Sequence, residues 1–506
     1  MLSKIYSGAV VGISPILIEC EVDSRNGLAG QTIVGLPDTA VKESKERLFS
    51  AIKNSGYEIP LNKYITFNLA PADIKKAGSF YDLPMAIGLL VSTSQIISEK
   101  FKKILFVGEL GLDGELKPVN GGLLFAILAK ERGFKAIMLP EKNAEEASLI
   151  KDIQILPITS LFQAVEYLED RLTIVEFQQN KLEESQIVYK LDMVDVKGQA
   201  FAKRAMEIAA AGGHNLFMIG PPGCGKSMLA KRLPTILPDL AREELLEVIK
   251  IYSVTGKLKR GKLFKQRPFR SPHHTVSYAG MIGGTSQCRP GEISLAHRGV
   301  LYLDEIPEFE RRVLETLRQP LEDGKIVISR AMNSFEYPAR FMLIASANPC
   351  PCGYLNHPTI ACKCRPAVRN LYTARISGPL LDRFDMLVEL ESLSGEELLS
   401  RPGGESSQEI KQRVILARKR QSQRLGAEGA LNANMSESQI ESTCILDDKG
   451  KSVLAQSIGR FAFSARQVAR IKKVARSIAD LEESEMISSE HLLEAIQFRK
   501  NQYAKD

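Results

Sequence analysis

Gly220-Pro-Pro-Gly-Cys-Gly-Lys226-Ser227 matches the phosphate-loop pattern G-x-x-x-x-G-K-[ST] at every position. The apolar run 215–219 before it predicts a buried strand, and the run 228–233 after it predicts a helix. Glycines let the backbone N–H groups turn inward at a helix N-terminus, where anions are favoured. We therefore expect this loop to bind a nucleoside triphosphate, with Lys226 on the β- and γ-phosphates and Ser227 on Mg²⁺. The expected nucleotide-binding residues are Gly220, Pro221, Pro222, Gly223, Cys224, Gly225, Lys226 and Ser227.

An acidic pair follows the next clear strand pattern. The apolar run 299–303 ends in Asp304 and Glu305, and the later run 340–347 ends in Asn348. A carboxylate at a strand end can hold Mg²⁺, its acidic neighbour can polarise the attacking water, and an amide can orient that water. A solvated acidic pair is the alternative interpretation, which the phosphate loop makes the weaker one. The three side chains predict hydrolysis of the bound triphosphate.

Length and composition set the frame for this site. A chain of 506 residues holds about three domains. It has no apolar run of the roughly 18 residues that a membrane span requires, and no secretory signal, so we expect a cytoplasmic protein without membrane partners. The net charge of +7 is modest and does not by itself indicate nucleic acid.

The patterns along the chain divide it into three structural regions and a linker. Residues 1–172 alternate strand-like and helix-like runs and form an α/β unit of their own, and the polar stretch 173–189 is the expected linker. Residues 190–390 show the βα alternation of a parallel sheet. Residues 391–506 lose strand character and are expected to be helical, as in a lid.

Four cysteines cluster in the loop 350–364. They are Cys350, Cys352, Cys362 and Cys364, arranged as two C-x-C arms. Four thiolates on two arms suit a tetrahedral structural Zn²⁺, and a cytosolic address disfavours disulfides. Free thiols on a loop are the alternative, and His357 between the arms is a possible substitute ligand.

The segment 250–270 carries basic residues and no acidic one. Tyr252, Phe264 and Phe269 are interleaved, a pattern that fits a loop following phosphates and stacking on bases. A solvated charged face is the competing interpretation. Adjacent His273 and His274 point in different directions on regular structure, so a metal site there is disfavoured. The candidate DNA-binding residues are Lys257, Lys259, Arg260, Lys262, Lys265 and Arg267.

Seven motifs in order identify a family resemblance over essentially the whole chain. They are Val196-Lys-Gly-Gln199, Gly220 to Ser227, Arg267-Pro-Phe-Arg-Ser-Pro-His-His-Thr275, Pro290-Gly-Glu-Ile-Ser-Leu-Ala-His297, Leu301-Tyr-Leu-Asp-Glu305, Ala347-Asn-Pro-Cys-Pro-Cys352 and Leu380-Leu-Asp-Arg-Phe-Asp385. Together they resemble the YifB/ComM family of magnesium-chelatase-like AAA+ proteins. The resemblance implies an AAA+ phosphate-loop sheet with a C-terminal helical lid, ATP and Mg²⁺ as ligands, and a homo-hexamer with ATP sites between subunits.

The same resemblance assigns three further site residues or segments. Val196 to Gln199 would lie by the adenine, and Arg383 would reach into the neighbouring subunit's site to stabilise charge on the transferring phosphoryl group. Arg466 would be the sensor arginine of the lid. A surface salt bridge of Arg383 with Asp382 or Asp385, and an exposed helix charge at Arg466, are the alternatives.

The N-terminal region resembles the proteolytic domain of Lon-type proteases. Segments 71–86 and 108–122 are similar to those that carry the serine nucleophile and the lysine base. Phe80 stands approximately where the serine belongs, and Leu124 where the lysine belongs. Ser79 is adjacent but has no lysine at the expected offset, and a serine without a base is a poor nucleophile. We expect a proteolytically inactive domain.

The function that the resemblance implies is an ATP-driven DNA motor. It would act as a helicase or in branch migration, on single-stranded or branched DNA, during recombination or natural transformation. Two alternatives stay open: a chelatase-type ATPase that drives metal insertion, and an AAA+ protein unfoldase or protease.

Overall fold

The structure, a computed structural model, describes the chain in eight segments: 2–60, 62–76, 78–177, 189–258, 266–284, 289–330, 333–393 and 403–499. These segments form two compact units. The first holds the described residues up to 177 together with 245–258, and the second holds 189–244 and the described residues from 266 on. Most of the expected linker, 178–188, lies outside the described residues. The sequence did not indicate that 245–258 belongs to the first unit.

The first unit is built on a mixed seven-stranded sheet. Its strands are β1 (Leu2–Val11), β2 (Ser14–Asn26), β3 (Gly30–Val34), β4 (Lys63–Ala70), β5 (Ile104–Phe106), β8 (Ala136–Pro140) and β9 (Gln154–Ile158), while β6 (Glu109–Leu110) and β7 (Leu116–Lys117) form a separate pair. The strand order is β3-β4-β2-β1-β5-β8-β9. β2 pairs antiparallel with both β1 and β4, and the other pairs in the sheet are parallel.

Helices cover this sheet and bury its apolar side chains. The α-helices of the first unit are Thr39–Asn54, Asp82–Ser92, Gly122–Glu131, Ala144–Ala147, Leu161–Leu168 and the part of Arg242–Thr255 from residue 245 on. Every residue of Asp82–Ser92 is buried, as expected for a helix that is apolar all round. Gly88 permits its close packing, because a Cβ there would lie 2.6 Å from a methyl group of Val22 on β2.

The second unit is built on a five-stranded sheet in which every pair is parallel. Its strands are β10 (Leu216–Ile219), β11 (Phe269–Arg270), β12 (Val300–Leu303), β15 (Met342–Ala347) and β16 (Met386–Glu389), and a hairpin is formed by β13 (Lys325–Arg330) and β14 (Asn333–Pro338). The order is β11-β12-β15-β10-β16. The parallel sheet predicted for this region is confirmed. Ligands of such sheets bind at the carboxyl ends of the strands.

The helices of the second unit precede β10, alternate with the strands and, after β16, make up the C-terminal region. They are Ala200–Gly212, Lys226–Ile236, Arg242–Thr255 (its first three residues), Tyr278–Ile282, Glu292–Leu295, Arg311–Glu315, Arg318–Asp323, Pro366–Thr373, Gly378–Leu381, Ser407–Leu425, Glu437–Thr443, Asp448–Phe461, Ala465–Leu481 and Ser489–Gln497. A serine caps four of the C-terminal helices in a capping box: Ser406, Ser436, Ser464 and Ser488. The predicted helical character of this region is confirmed. In the described part of the chain no helix is long and apolar enough to cross a membrane.

Candidate nucleotide-binding site

The phosphate loop leaves the carboxyl end of β10 and enters the helix Lys226–Ile236. Gly223 and Gly225 have φ values of 80° and 97°, in the left-handed region that glycine adopts without steric cost. Gly225 is also the N-cap residue of the helix. The free N–H groups of the first helical turn therefore stand at the loop, which suits an anionic ligand.

Lys226 is buried at the centre of this loop. Its ammonium donates to the carbonyl oxygens of Gly220 at 2.6 Å and Pro221 at 2.9 Å, and to the side-chain oxygen of Asn348 at 3.1 Å. Burial lowers the pKa of Lys226 from its ordinary value, and the negative charge of Asp304 opposes that shift. The structure thus brings together Lys226 and Asn348, which follow two different predicted strands in the sequence.

Ser227 and Asp304 are in direct contact. The Ser227 hydroxyl donates to Asp304 Oδ2 at 2.7 Å. Burial alone would raise the pKa of Asp304, but hydrogen bonds from Ser346, Ser227 and Tyr302 outweigh it and hold this pKa below its usual range. A hydroxyl and an ionised carboxylate are the oxygen ligands that Mg²⁺ prefers. The donor set present therefore fits the ion that the sequence predicts.

Glu305 follows Asp304 at the edge of the site. It is exposed, and its φ of 51° places it in the left-handed region, which is uncommon for a residue other than glycine. Its backbone N–H donates to Asp304 Oδ1 at 3.1 Å. The turn separates the two carboxylates, since Asp304 faces Ser227 while Glu305 is left open to solvent.

The segment predicted to lie by the adenine contacts the phosphate loop. The Gln199 side-chain amide donates to the carbonyl oxygen of Cys224 at 3.2 Å and to that of Glu391 at 2.8 Å. Val196 is 2% exposed, and the ammonium of Lys203 donates to its carbonyl oxygen. Gln199 therefore ties the start of the second unit to the loop and to the chain after β16.

Arg383 lies apart from the Lys226 and Asp304 contacts, among other positive charges. Its guanidinium forms an ion pair with Glu322, and its Nε is buried without a hydrogen-bond partner in the described chain. Burial, and then repulsion from Arg470, Arg466 and Arg318, lowers the pKa of Arg383. Arg383 and Arg466 are thus close enough to influence each other, which the sequence did not predict.

Asp382 and Asp385, the alternative salt-bridge partners of Arg383, contact other residues in the structure. Asp385 accepts from the backbone N–H of Asn215 at 3.0 Å. Asp382 lies 3.9 Å from the guanidinium of Arg499. The salt bridge that the structure shows for Arg383 is instead the one with Glu322, on the helix Arg318–Asp323.

The four clustered cysteines converge. Their sulfur atoms all lie within 4.8 Å of one another, and three of the separations are 3.3, 3.6 and 3.6 Å. A tetrahedral zinc with bonds of about 2.3 Å requires sulfur separations of about 3.8 Å. Backbone hydrogen bonding from Tyr354 lowers the pKa of Cys352 to about 6, which favours the thiolate that binds metals. The cysteine geometry fits a zinc site.

His357 is not part of this cluster. Its Nδ1 accepts hydrogen bonds from the backbone N–H groups of Ile360 at 3.1 Å and Thr359 at 3.3 Å. The ring is hydrogen-bonded within its own turn, and the four cysteines converge without it. Within the described residues, the cysteines alone form a group of three or more side chains of metal-ligating type, and His273 and His274 join none.

The cysteine loop touches the nucleotide-binding residues. A Cβ on Gly353 would lie 2.5 Å from Pro222 of the phosphate loop, so the two backbones pack closely. Burial raises the pKa of Tyr372 to about 12, and its hydroxyl is hydrogen-bonded to the backbone of Asn348. The sequence singled out neither contact, because each depends on where the loop folds back.

The candidate DNA-binding residues are only partly described. Lys257 is exposed, whereas Lys259, Arg260, Lys262 and Lys265 lie outside the described residues. Arg267 is held inside the second unit, where its guanidinium pairs with Glu244 at 2.8 Å and 9% of its side chain is exposed. It also donates to the carbonyl oxygen of Arg298 at 2.9 Å, so its donors are used within the fold.

Three family models and several full-length relatives match this chain. Residues 192–398 match the family "Magnesium chelatase, subunit ChlI", residues 20–143 match "Subunit ChlI of Mg-chelatase", and residues 404–499 match "Magnesium chelatase, subunit ChlI C-terminal". The chain is 43% identical over 502 residues to the uncharacterized protein YifB of Escherichia coli K12, covering 98% of this chain and 97% of YifB. It is 41% identical over 505 residues to the competence protein ComM of Haemophilus influenzae Rd, covering 98% and 97%.

The chain belongs to the YifB/ComM family. The resemblance deduced from the motifs is confirmed. A 28% identity over 171 residues to the magnesium-chelatase 38 kDa subunit of Cereibacter sphaeroides covers 30% of this chain and 51% of that protein. YifB and ComM belong to the magnesium-chelatase-like AAA+ family of ATPases, so ATP and Mg²⁺ are the ligands of its phosphate loop. Proteins of this family are oligomeric.

In the first unit, the side chains that the sequence predicts at the nucleophile and base positions of a Lon-type protease lie in apolar surroundings. The Phe80 ring packs against Tyr81 at a centroid distance of 4.6 Å and against Phe125 at 5.3 Å. Leu124 is 0% exposed within the apolar helix Gly122–Glu131. The Ser79 hydroxyl is hydrogen-bonded to Glu109. The environment of Phe80 and Leu124 is hydrophobic packing.

Proposed function

We propose that the protein is a hexameric ATP-driven DNA motor that acts as a helicase or in branch migration during recombination or natural transformation, and that it binds single-stranded or branched DNA. The observation that carries the ATPase part is the convergence of Lys226, Ser227, Asp304 and Asn348 at the ends of three adjacent parallel strands. The DNA part is supported by the full-length relative ComM, which is named a competence protein.

Each side chain of the site has a chemical task in this proposal. Lys226 binds the phosphates, while Ser227 and Asp304 hold Mg²⁺, which neutralises charge that develops on the phosphate oxygens. Glu305 is open to solvent and polarises the attacking water, and Asn348 orients it. The adenine lies by Val196 and Gln199, because Gln199 is bonded to the phosphate loop itself.

Arg383 completes a neighbouring subunit's site. It does not contact its own subunit's phosphate-binding residues, and only Glu322 pairs with it among the described residues. The positive charge of Arg466 adds to that of Arg383, and together they favour an incoming anion. A fixed guanidinium stabilises the transition state of phosphoryl transfer. Hydrolysis in a ring then depends on the contact between subunits.

The exposed Lys257 and the basic residues that follow it are the proposed contact with DNA. Lys257 is open to solvent, and Lys259, Arg260, Lys262 and Lys265 continue the same charge in the sequence. Such a segment neutralises phosphates, and the aromatic residues within it offer surfaces for base stacking. Arg267 is left out of this contact, because its guanidinium is committed to Glu244.

Two accessory parts complete the proposal. The cluster of Cys350, Cys352, Cys362 and Cys364 binds a structural Zn²⁺ that stiffens the loop packed on Pro222. The first unit is proteolytically inactive, since Phe80 and Leu124 stand where the serine and the lysine belong, and it serves assembly or substrate handling.

The deciding experiment measures ATPase activity and strand displacement on three- and four-stranded DNA, with wild type beside Lys226→Ala. We expect DNA to stimulate the wild-type ATPase and strands to move only with ATP. The variant should do neither. An active ATPase that ignores DNA would contradict the motor and favour the chelatase-type or unfoldase alternative.

A further inference from the structure

Two buried hydroxyl groups lie behind the proposed magnesium-binding pair. Tyr302 is 1% exposed and Ser346 is 0% exposed, whereas Ser227 and Asp304 are half-buried. The phenol oxygen of Tyr302 lies 3.2 Å from Ser227 Oγ and 3.0 Å from Ser346 Oγ. Since Ser227 and Ser346 each donate to Asp304, the four side chains close a hydrogen-bonded ring.

Strand geometry places these groups together. Tyr302 lies near the end of β12, and Asp304 is the residue directly after that strand, two positions beyond Tyr302. Tyr302 is opposite Ile344 on β15, and Ser346 is two residues further on, hence on the same face of the sheet as Tyr302. The ring therefore follows from the register of β12 and β15, while Ser227 comes from the helix Lys226–Ile236, which follows β10 and the phosphate loop.

The ring has fewer protons than contacts. The Ser227 and Ser346 hydroxyls donate to the two carboxylate oxygens of Asp304. The Tyr302 proton is then the one left for both serine oxygens, and it serves one of them at a time. A buried hydroxyl cannot turn to water, so Tyr302 keeps its donor inside the ring. The Tyr302 hydroxyl can give up its hydrogen bond to Ser227 and still donate to Ser346.

We infer that Tyr302 and Ser346 are positioning residues for Mg²⁺, because they hold the Ser227 hydroxyl and the Asp304 carboxylate in place for the ion. The inference rests on the proposed ATP site but does not involve DNA. Groups that orient metal ligands from behind typically contribute roughly 10–100-fold to metal affinity. Tyr302→Phe removes only the hydroxyl group. It keeps the aromatic side chain, whose centroid lies 6.1 Å from that of Phe269 in a stacked arrangement.

The test titrates Mg²⁺ against binding of a fluorescent ADP analogue to the full chain. We expect Tyr302→Phe and Ser346→Ala each to raise the half-saturating Mg²⁺ concentration roughly 10-fold. Their affinity for the analogue in EDTA should equal that of wild type. Tyr337→Phe is the control, because Tyr337 is another buried tyrosine of the second unit, 1% exposed and outside the ring.

The double variant separates a shared ring from two independent effects. If Tyr302 and Ser346 act as one network, the half-saturating Mg²⁺ concentration of the double variant should be little higher than that of the more strongly affected single variant. Unchanged Mg²⁺ dependence in Tyr302→Phe would overturn the inference, even if Ser346→Ala does not fold. An equal loss of affinity in EDTA would overturn it too, because the pocket itself would then be damaged. The DNA experiment can fail without changing any of these results.

Discussion

The ammonium of Lys226 lies 3.1 Å from the side-chain oxygen of Asn348, across 122 residues of sequence. The contact exists because β10 and β15 are neighbouring parallel strands, paired at Ile219 and Ala347. The residues that follow each strand therefore emerge at the same edge of the sheet. The phosphate-binding lysine and the proposed water-orienting amide are held at one point.

Removing the Lys226 side chain should abolish ATP turnover. The loss of one preorganised charge from such a site typically lowers kcat about 10²–10³-fold. Steady-state ATPase rates of Lys226→Ala beside Lys231→Ala provide the measurement, since Lys231 is an exposed lysine on the same helix. Near-normal hydrolysis in Lys226→Ala would contradict the assignment of the loop.

Glu305→Gln should bind Mg-ATP yet hydrolyse it slowly. Glu305 is exposed and does not share the hydrogen bonds that hold Asp304, so the amide should leave the binding residues in place. We expect the variant to accumulate as an ATP-bound oligomer, which size-exclusion chromatography with ATP can show. Glu308→Gln is the control, because Glu308 is also exposed but pairs with Arg375. Equal turnover in the two variants would exclude Glu305 as the polarising group.

Mixing two inactive variants should restore ATPase activity if sites lie between subunits. Arg383→Ala lacks the group offered to the neighbour, and Lys226→Ala lacks the group that binds phosphate. A mixed ring contains some interfaces with an intact Lys226 on one side and an intact Arg383 on the other. Activity measured against the mixing ratio should pass through a maximum. A mixture that stays inactive at every ratio would place Arg383 outside the neighbour's site.

Purified protein should contain about one Zn²⁺ per chain, held by four thiolates. Cys352→Ser should lose most of the metal and lower the midpoint of thermal unfolding, because the loop would lose its brace near Pro222. Elemental analysis and a thermal scan measure both effects. Cys444→Ser is the control, since Cys444 lies outside the cluster. Metal-free wild-type protein purified without chelator would refute the zinc site.

Neutralising Lys257, Lys259 and Arg260 together should weaken DNA binding and flatten its salt dependence. Each lost phosphate contact lowers the slope of log K against log salt by about 0.9 on duplex and about 0.7 on single strands. Binding to both DNA forms across a salt series gives these slopes. The matched control replaces Lys449, Lys451 and Arg460, which are exposed on the helix Asp448–Phe461. Equal slopes for the two triple variants would favour the alternative interpretation, in which the basic segment is a solvated charged face that does not bind DNA.

The sequence by itself determined the chemistry of the phosphate loop, the acidic pair after β12, the parallel sheet and the family. These features are local: a loop of fixed spacing, or a polar residue directly after an apolar run, carries its meaning within a few positions. The cysteine site could be predicted only in part from the spacing of the cysteines. Their two arms were evident in the sequence, but only the structure shows that the four cysteines converge while the His357 ring is hydrogen-bonded within its own turn.

Tertiary structure alone decided which distant groups meet. The Tyr302–Ser346 ring, the Glu322 partner of Arg383, the internal pairing of Arg267 and the place of 245–258 in the first unit all depend on strand register or chain reversal. From the sequence, Tyr302 in an apolar strand is expected to be a core residue, and Arg267 in a basic run is expected to be a surface residue. Their hydrogen-bond partners lie on other elements of the fold, and burial forces those partners to be found.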